Sequence, residues 1–280
     1  MHVLKFVEPI TRFIPNFKDI EKSVKNKVFD EVLQGIGTRR SVVLTGRELC
    51  KVKEELSLPS KVSVIECFKI SINYLPISVT VYFEDCPWKF VTMLKLGGEI
   101  KEILNLGDSL YLAKLLTENS VRRMYLGKLI HDEYLRTLEA YLSEYKFVSE
   151  VEVEKNFSVK VCGVKQRLFT LIGRCDGILV DDDDMYVLEL KLVYKDYHML
   201  QHTLYALCLD VDKLLIVDKF RKSIVEPMSR KEVAKKMYMI YKVLNNKEID
   251  VEPNRKKCRK CIYREVCVFL KKKMKKLIEY

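Results

Sequence analysis

The sequence predicts an α/β fold, a mixed sheet with helices on its faces, on three observations. From Asn119 to Tyr145 apolar residues recur at helical spacing, among them Met124, Ile130, Tyr134, Leu138 and Leu142. Strand candidates follow at Phe147–Val153, Arg167–Ile172, Asp176–Val180, Met185–Leu192 and Lys213–Asp218. Helix patterns over Asp196–Leu209 and Arg230–Leu244 are interleaved with the last of them. A helix, a run of strands, a helix and a further strand are the order of a sheet covered by helices.

Taken from the start, residues 1–75 read as an N-terminal extension without an assignable role, and residues 76–280 as the main domain. A helix is expected over Phe17–Gln34, ended by Gly35-Ile36-Gly37. Those two glycines are no phosphate loop, since neither GxGxxG nor a Walker lysine accompanies them. Asn119 or Ser120 is the expected N-cap of the long helix. The run Asp181–Asp184 reads as the exposed turn of a hairpin. Ser229 and Glu232 form a capping-box pattern ahead of the last helix.

With 280 residues, 48% hydrophobic and 32% charged, the chain is a globular protein with a substantial core. Its net charge is +11, and the last 28 residues, Pro253 to Tyr280, carry eleven Lys or Arg against two Glu, or +9 of that total. Such a basic concentration suits a polyanion such as nucleic acid, or else is a solvated tail. No apolar run has the length of a membrane span, and Met1–Pro15 lacks a signal-peptide layout. The expectation is a cytoplasmic protein without membrane contact. Nine cysteines in such a chain argue for metal or redox chemistry before disulfides.

Glu189 and Lys191 stand two apart on the apolar strand MYVLELKL, so both point to one face while Leu188, Leu190 and Leu192 point to the other. A turn centred on Asp182 and Asp183 gives a register with Asp176 opposite Glu189. Cross-strand partners lie about 5 Å apart at Cβ, and two such carboxylates hold a hard divalent ion, Mg²⁺ or Mn²⁺. That ion activates water and polarises a phosphate, with Lys191 orienting the water or neutralising charge. Glu-x-Lys alone is more often an ordinary surface hairpin; Asp176 and the residues after it reverse that balance. Gln201 and Tyr205, four apart on a helix, share a face, where they contact a nucleotide strand or brace the Lys191 side; taken in isolation the pair reads as an ordinary half-buried helix face. His131 lies on the apolar stripe of the long helix, as a core residue or as a neutral imidazole joining the two carboxylates on the ion.

Near the C-terminus Cys258, Cys261 and Cys267 are spaced C-x2-C-x5-C. A closed site needs a fourth ligand, and Cys86 in EDCPWKF is the candidate. Four such thiolates bind Zn²⁺ or a [4Fe–4S] cluster, and would fasten together positions about 170 residues apart. Cys50, Cys67, Cys162, Cys175 and Cys208 read as small core residues.

In order, Cys86-Pro87-x-Lys89-Phe90, Gly127 to His131, Gly173 to Asp176, Glu189-x-Lys191, Gln201-x-x-x-Tyr205 and the cysteine trio resemble the RecB-like iron–sulfur nucleases of PD-(D/E)xK type. The likeness covers roughly residues 76–270 and is greatest to the fourth CRISPR-associated protein family, exonucleases of spacer adaptation. It implies a restriction-endonuclease-like fold with a four-cysteine iron–sulfur segment. It further implies that His131, Asp176, Glu189 and the Leu190 carbonyl ligate Mn²⁺ or Mg²⁺, that Lys191 is the catalytic lysine and that Gln201 and Tyr205 are the family's Q-x-x-x-Y pair. Cys86, Cys258, Cys261 and Cys267 would hold the [4Fe–4S] cluster. The implied activity is metal-dependent DNA exonuclease and single-strand cleavage, with DNA and CRISPR integrase proteins as partners. A strand would thread between cluster and metal, stacking on aromatics such as Trp88. Two features depart from the family pattern, Trp88 in place of a basic residue and the long N-terminal extension, and they admit a related repair or viral nuclease. The competing class is a non-catalytic DNA-end-binding scaffold, which has no need of the full catalytic set.

Overall fold

The computed structural model describes residues 14–25, 46–71, 73–142, 146–181, 184–246, 249 and 251–270. Residues 17–25 are helical, matching the start of the helix expected over Phe17–Gln34, whose remainder lies outside the described residues together with Gly35–Gly37. Then come α1 (Gly46–Glu55), β1 (Ser63–Ile70), β2 (Tyr74–Pro76), α2 (Thr80–Asp85), α3 (Pro87–Ile103), β3 (Leu110–Leu116) and α4 (Glu118–Tyr141). The second half runs β4 (Lys146–Val161), β5 (Val164–Asp181), β6 (Asp184–Lys191), α5 (Met199–Leu209), β7 (Lys213–Asp218), β8 (Lys222–Val225), α6 (Arg230–Asn246) and α7 (Arg255–Cys258).

Six strands form the main mixed sheet, ordered β2-β5-β6-β7-β8, with β4 antiparallel along β5. The β2–β5 and β6–β7 pairs are parallel; β5–β6 and β7–β8 are antiparallel. β1 and β3 make a separate antiparallel pair. Residues 63–75, read from the sequence as extension, thus supply β1 and all of β2 but its last residue, and β2 enters the main sheet beside Thr170–Ile172. Short local signal hid β2, because a three-residue strand is fixed by its neighbour and not by its own pattern.

Alternation along the strands fills both faces. Leu188, Leu190, Leu215 and Val217 pack against Ile130, Tyr134 and Leu138 of α4 and against Phe17 of the N-terminal helical segment. Val187 and Leu214 share the opposite core with Leu200 and Leu204 of α5 and Met237 of α6. α3 lies so close to β3 that a Cβ on Gly97 would stand 2.1 Å from the Tyr111 carbonyl oxygen; only glycine permits that approach.

Several boundaries differ from the sequence expectation for identifiable reasons. α4 is capped by Thr117, whose Oγ1 accepts the Ser120 N–H at 3.2 Å, and not by Asn119 or Ser120. Arg167–Ile172 and Asp176–Val180 are one strand, β5, because β4 pairs with it through Gly173. Asp196–His198 is a 3₁₀ turn leading into α5. Ser229 and Glu232 do form the expected box, each side chain bonding the other's backbone N–H. Of the cysteines read as core, Cys175 is buried, Cys67 and Cys208 are partly covered, and Cys50 and Cys162 are exposed.

Candidate active site

The β5–β6 ladder runs from Asp181↔Asp184 to Gly177↔Leu188. One further step of that register sets Asp176 opposite Glu189, as the symmetric turn predicts. There the ladder stops. β2 leaves the same edge of β5 after Ile172, so residues 173–176 of β5 pair with neither strand. The C-terminal ends of β2 and β6 point into this gap, and Asp176 fills it with a side-chain bond: its Oδ2 accepts the Leu190 N–H at 2.6 Å. Its Oδ1 accepts from His131 Nε2 on α4 at 2.9 Å. Glu189, 1% exposed, lies against the Lys191 ammonium as an ion pair. Neither Glu189 oxygen has a well-aligned hydrogen-bond partner.

The electrostatics follow from burial and neighbours. Burial and then the charge of Asp176 push the Glu189 carboxyl up to about 7, against the pull of Lys191. Burial acts the same way on Asp176, but Lys191, His131 and the Leu190 N–H together hold it below the ordinary carboxylate range. Burial pulls the His131 imidazole down, and its bond to Asp176 more than restores it, so its pKa is raised. The Lys191 ammonium is likewise raised by Glu189 and Asp176 in spite of its burial.

Gln201 and Tyr205 come together on α5, with Gln201 Nε2 3.4 Å from the Tyr205 hydroxyl. Both are buried, which puts them out of reach of a strand in solvent. The Tyr205 ring covers the gap: a Cβ on Gly173 would stand 2.9 Å from its Cε1. The glycine before Asp176 is therefore the space Tyr205 occupies. Sequence reasoning missed three supporting residues. His202, fully buried, donates from Nε2 to the Val187 carbonyl at 2.9 Å, and its pKa is pulled down to about 4, chiefly by burial. Tyr194 is buried beside it. Asp218, in register with Lys191 on β7, accepts the Tyr194 N–H at 3.0 Å. Nothing in their spacing marks these residues, because their partners belong to other elements.

Among the described residues, no three His, Cys, Asp or Glu side chains converge as they stand to grip an ion. The donors nevertheless fit a hard divalent cation. Glu189 presents two buried oxygens without aligned donors, a costly arrangement that a cation relieves. Asp176 and Glu189 occupy neighbouring strands, and His131 already reaches Asp176. For His131 to ligate the same ion, its imidazole must release that contact.

Cys86, directly after α2, shares a neighbourhood with the terminal cysteine trio, but no three of these thiols converge as they stand to grip an ion. Burial raises the Cys86 thiol, the backbone N–H groups of Lys89 and Trp88 oppose this, and Cys258 and Cys267 raise it further. Cys261 is raised by burial and again by Cys86 and Cys267. Tyr263 pins their segment: its hydroxyl accepts the Leu115 N–H at 3.0 Å and donates to the Ala113 carbonyl at 3.2 Å on β3. Beside them opens a cleft of about 1440 Å³, lined by Cys86, Cys258 and Cys261 and by Lys89, Lys236 and Lys257. Trp88 does not serve this cleft as a stacking platform. It is 8% exposed, donates to the Val251 carbonyl and packs on Phe269 with ring centroids 5.0 Å apart.

A family model for the PD-(D/E)XK nuclease superfamily matches residues 95–268, more than half of the chain and inclusive of Asp176, Glu189 and Lys191. The chain belongs to the PD-(D/E)XK nuclease superfamily. Members of this superfamily are generally nucleases that use Mg²⁺ or Mn²⁺, and the mixed sheet flanked by helices fits its fold. The crystal structure of SSO0001 is similar over 80% of this chain and 96% of its own, at 18% identity and a TM-score of 0.45. No curated protein matches the chain. No helix among the described residues is long and apolar enough to cross a membrane.

Proposed function

We propose that this PD-(D/E)XK protein is a metal-dependent deoxyribonuclease, cutting DNA that is single-stranded or has single-stranded ends. The observation that carries this reading is the buried Glu189 carboxylate, ion-paired with Lys191 but without an aligned hydrogen-bond donor, beside Asp176 in the unpaired gap of β5. Asp176, Glu189, His131 and the Leu190 carbonyl would hold Mn²⁺ or Mg²⁺, which when bound supplies Lewis acidity at the scissile phosphate. Asp176 fixes the Leu190 peptide by accepting its N–H. Lys191 is held at the site by Glu189 and places a cation where charge builds on the phosphate or orients the attacking water. Tyr205 and Gln201 keep the gap closed to bulk water from the α5 side.

The finer reading is an exonuclease like those that process DNA for CRISPR spacer acquisition, with integrase proteins as partners in the cytoplasm. Its support is the ordered motif set together with the mutual approach of Cys86, Cys258, Cys261 and Cys267. Drawn together from their present positions, these four thiols would supply the donor set of a [4Fe–4S] cluster, or of zinc. On this reading residues 76–280 are the nuclease domain and residues 1–75 an extension that lends it β1 and most of β2.

The test is cleavage of end-labelled single-stranded DNA with Mn²⁺ by anaerobically purified protein and by Asp176→Ala. Loss of label with the parent only is the expected result. Equal cleavage by a clean, folded Asp176→Ala preparation would remove the proposed site. Iron and acid-labile sulfide at about four each per chain, against zinc at one, settles the cysteine ligand.

A further inference from the structure

The connection from β6 to α5 carries a histidine that no step of the proposed cleavage uses. After Lys191 the backbone passes Tyr194 and Lys195 and enters the 3₁₀ turn Asp196–His198. There the His198 side chain folds back, and its Nδ1 accepts the Lys195 N–H at 3.0 Å. A ring nitrogen that accepts carries no proton, so this bond fixes the tautomer, with the hydrogen on Nε2. The imidazole is wedged between Tyr194, at 5.4 Å between ring centroids, and Tyr197, at 4.4 Å and edge to face. Its remaining polar atom, Nε2, has no acceptor among the described residues. His202, one turn on, shows the alternative, since its Nε2–H is spent on the Val187 carbonyl.

The ring is half-buried, but Nε2 itself is open to solvent and not sealed in the protein. Burial draws the His198 imidazole down to about 4; Lys191 and then Lys195 act in the same direction, and Asp85 acts against them. His198 is therefore a neutral donor, and the charge it meets most strongly is the lysine of the Glu-x-Lys motif. Asp85 lines the large cleft together with Lys195, Asp196 and Tyr197. His198 thus stands where the turn divides that cleft from the active site, within the field of a charge on each side.

We propose that the His198 Nε2–H donates to a non-bridging phosphate oxygen of the DNA strand, at a linkage beside the one being cut. This rests on the nuclease reading and adds a substrate-binding residue to it. A fixed N–H donor without an acceptor calls for an oxygen or nitrogen from outside the chain. The phosphate supplies it because Lys191 addresses the same backbone, and because phosphates recur at every nucleotide whereas base acceptors change with sequence. An N–H bonded to an anionic oxygen is also the stronger bond. The two tyrosine rings and the Lys195 bond set the direction of the donor before substrate arrives, so little order is lost on binding. Being neutral, His198 holds the phosphate without releasing a counterion, unlike a lysine contact.

The test separates the two ends of the ring. In His198→Asn the amide oxygen stands in for Nδ1 and keeps the Lys195 bond, but nothing reaches the Nε2 position. In His198→Gln the amide nitrogen reaches the Nε2 position and the Lys195 bond is lost. Binding of the full chain to single-stranded oligodeoxynucleotides is measured with Ca²⁺, with one neutral methylphosphonate scanned along the strand. His198→Asn should bind the unmodified strand about tenfold more weakly than the parent, and His198→Gln within about threefold of it. At one linkage the methylphosphonate should weaken the parent about tenfold and His198→Asn far less. Parent-like binding by His198→Asn overturns the proposal, because the ring then serves only the turn. The same scan pattern in parent and His198→Asn overturns it too. So does a salt dependence shallower by about one unit of slope in His198→Asn, which marks a cationic contact. Cleavage of end-labelled DNA with Mn²⁺ distinguishes the two readings: a parent that binds and does not cut removes the nuclease and keeps the contact, and a parent that binds no DNA removes both.

Discussion

Asp176, Glu189 and Lys191 reach one another within a single hairpin, whereas Cys86 lies near Cys258, Cys261 and Cys267 only because a segment about 170 residues downstream is pinned back onto α3 and β3. The first site is set by strand register, which the pairing from Asp181↔Asp184 to Gly177↔Leu188 and an apolar face leave almost no freedom to change. The second is set by docking, through Tyr263 on β3, Val268 on Thr92 and Lys257 on Asp85. A site made by register should survive surface change and fail only through its own charges. A site made by docking should loosen by small steps.

The largest expected effect tests the first half of that contrast. Lys191→Met leaves Glu189 buried and unpaired, so urea unfolding should report a loss of about 3 kcal/mol and cleavage should fall about 10³-fold. Adding Glu189→Gln should recover most of the stability and none of the activity. The metal content of the cysteine segment should not change in either variant.

His202 gives the next effect, read as pH dependence. Its folded pKa, about 4, lies below the ordinary value of 6.5, so the unfolded chain binds more protons between those limits. The stability His202 supports is complete above pH 6.5 and is lost as pH falls toward 4, by about 3 kcal/mol. Glu189 acts in the opposite sense, since a carboxyl raised to about 7 costs stability as pH rises from 4.5. The measurement is therefore the difference between parent and His202→Gln, whose amide can still donate to Val187; the variant should have the flatter acid limb.

On the docking side, Tyr263→Phe removes one acceptor and one donor from β3 at a cost of about 1–2 kcal/mol. Limited proteolysis within residues 251–270 should speed up while DNA cleavage survives in part. The smallest effect belongs to Asp85. Burial opposes its ionisation, but Lys89 and then Lys257 hold its carboxyl below the usual range. Asp85→Asn should cost under about 1 kcal/mol at these partly exposed pairs and should raise the sensitivity of the cysteine segment to chelators or oxidation.

How much of this was legible follows from the range of each interaction. Strand β7, the start of β6 and the capping box of α6 were placed nearly to the residue, since each is written in a local pattern. The 176–189 register was legible because the turn sits between them symmetrically. Helix α3 was not foreseen: buried on most sides, it has no amphipathic period to read. The stacking role expected of Trp88 failed because its indole N–H found the Val251 carbonyl, 163 positions away, a contact no spacing rule contains.

By itself, then, the sequence determined the sheet hairpin, its facing acids and lysine, and the cysteine spacing, all of which depend on neighbours a few residues apart. Only the tertiary structure decided that β2 leaves β5 at Ile172 to open the gap, that Tyr205 takes the space over Gly173 and that His131 turns to Asp176. Those outcomes depend on which distant surfaces cover one another, and covering is settled by packing of the whole chain and not by any local period.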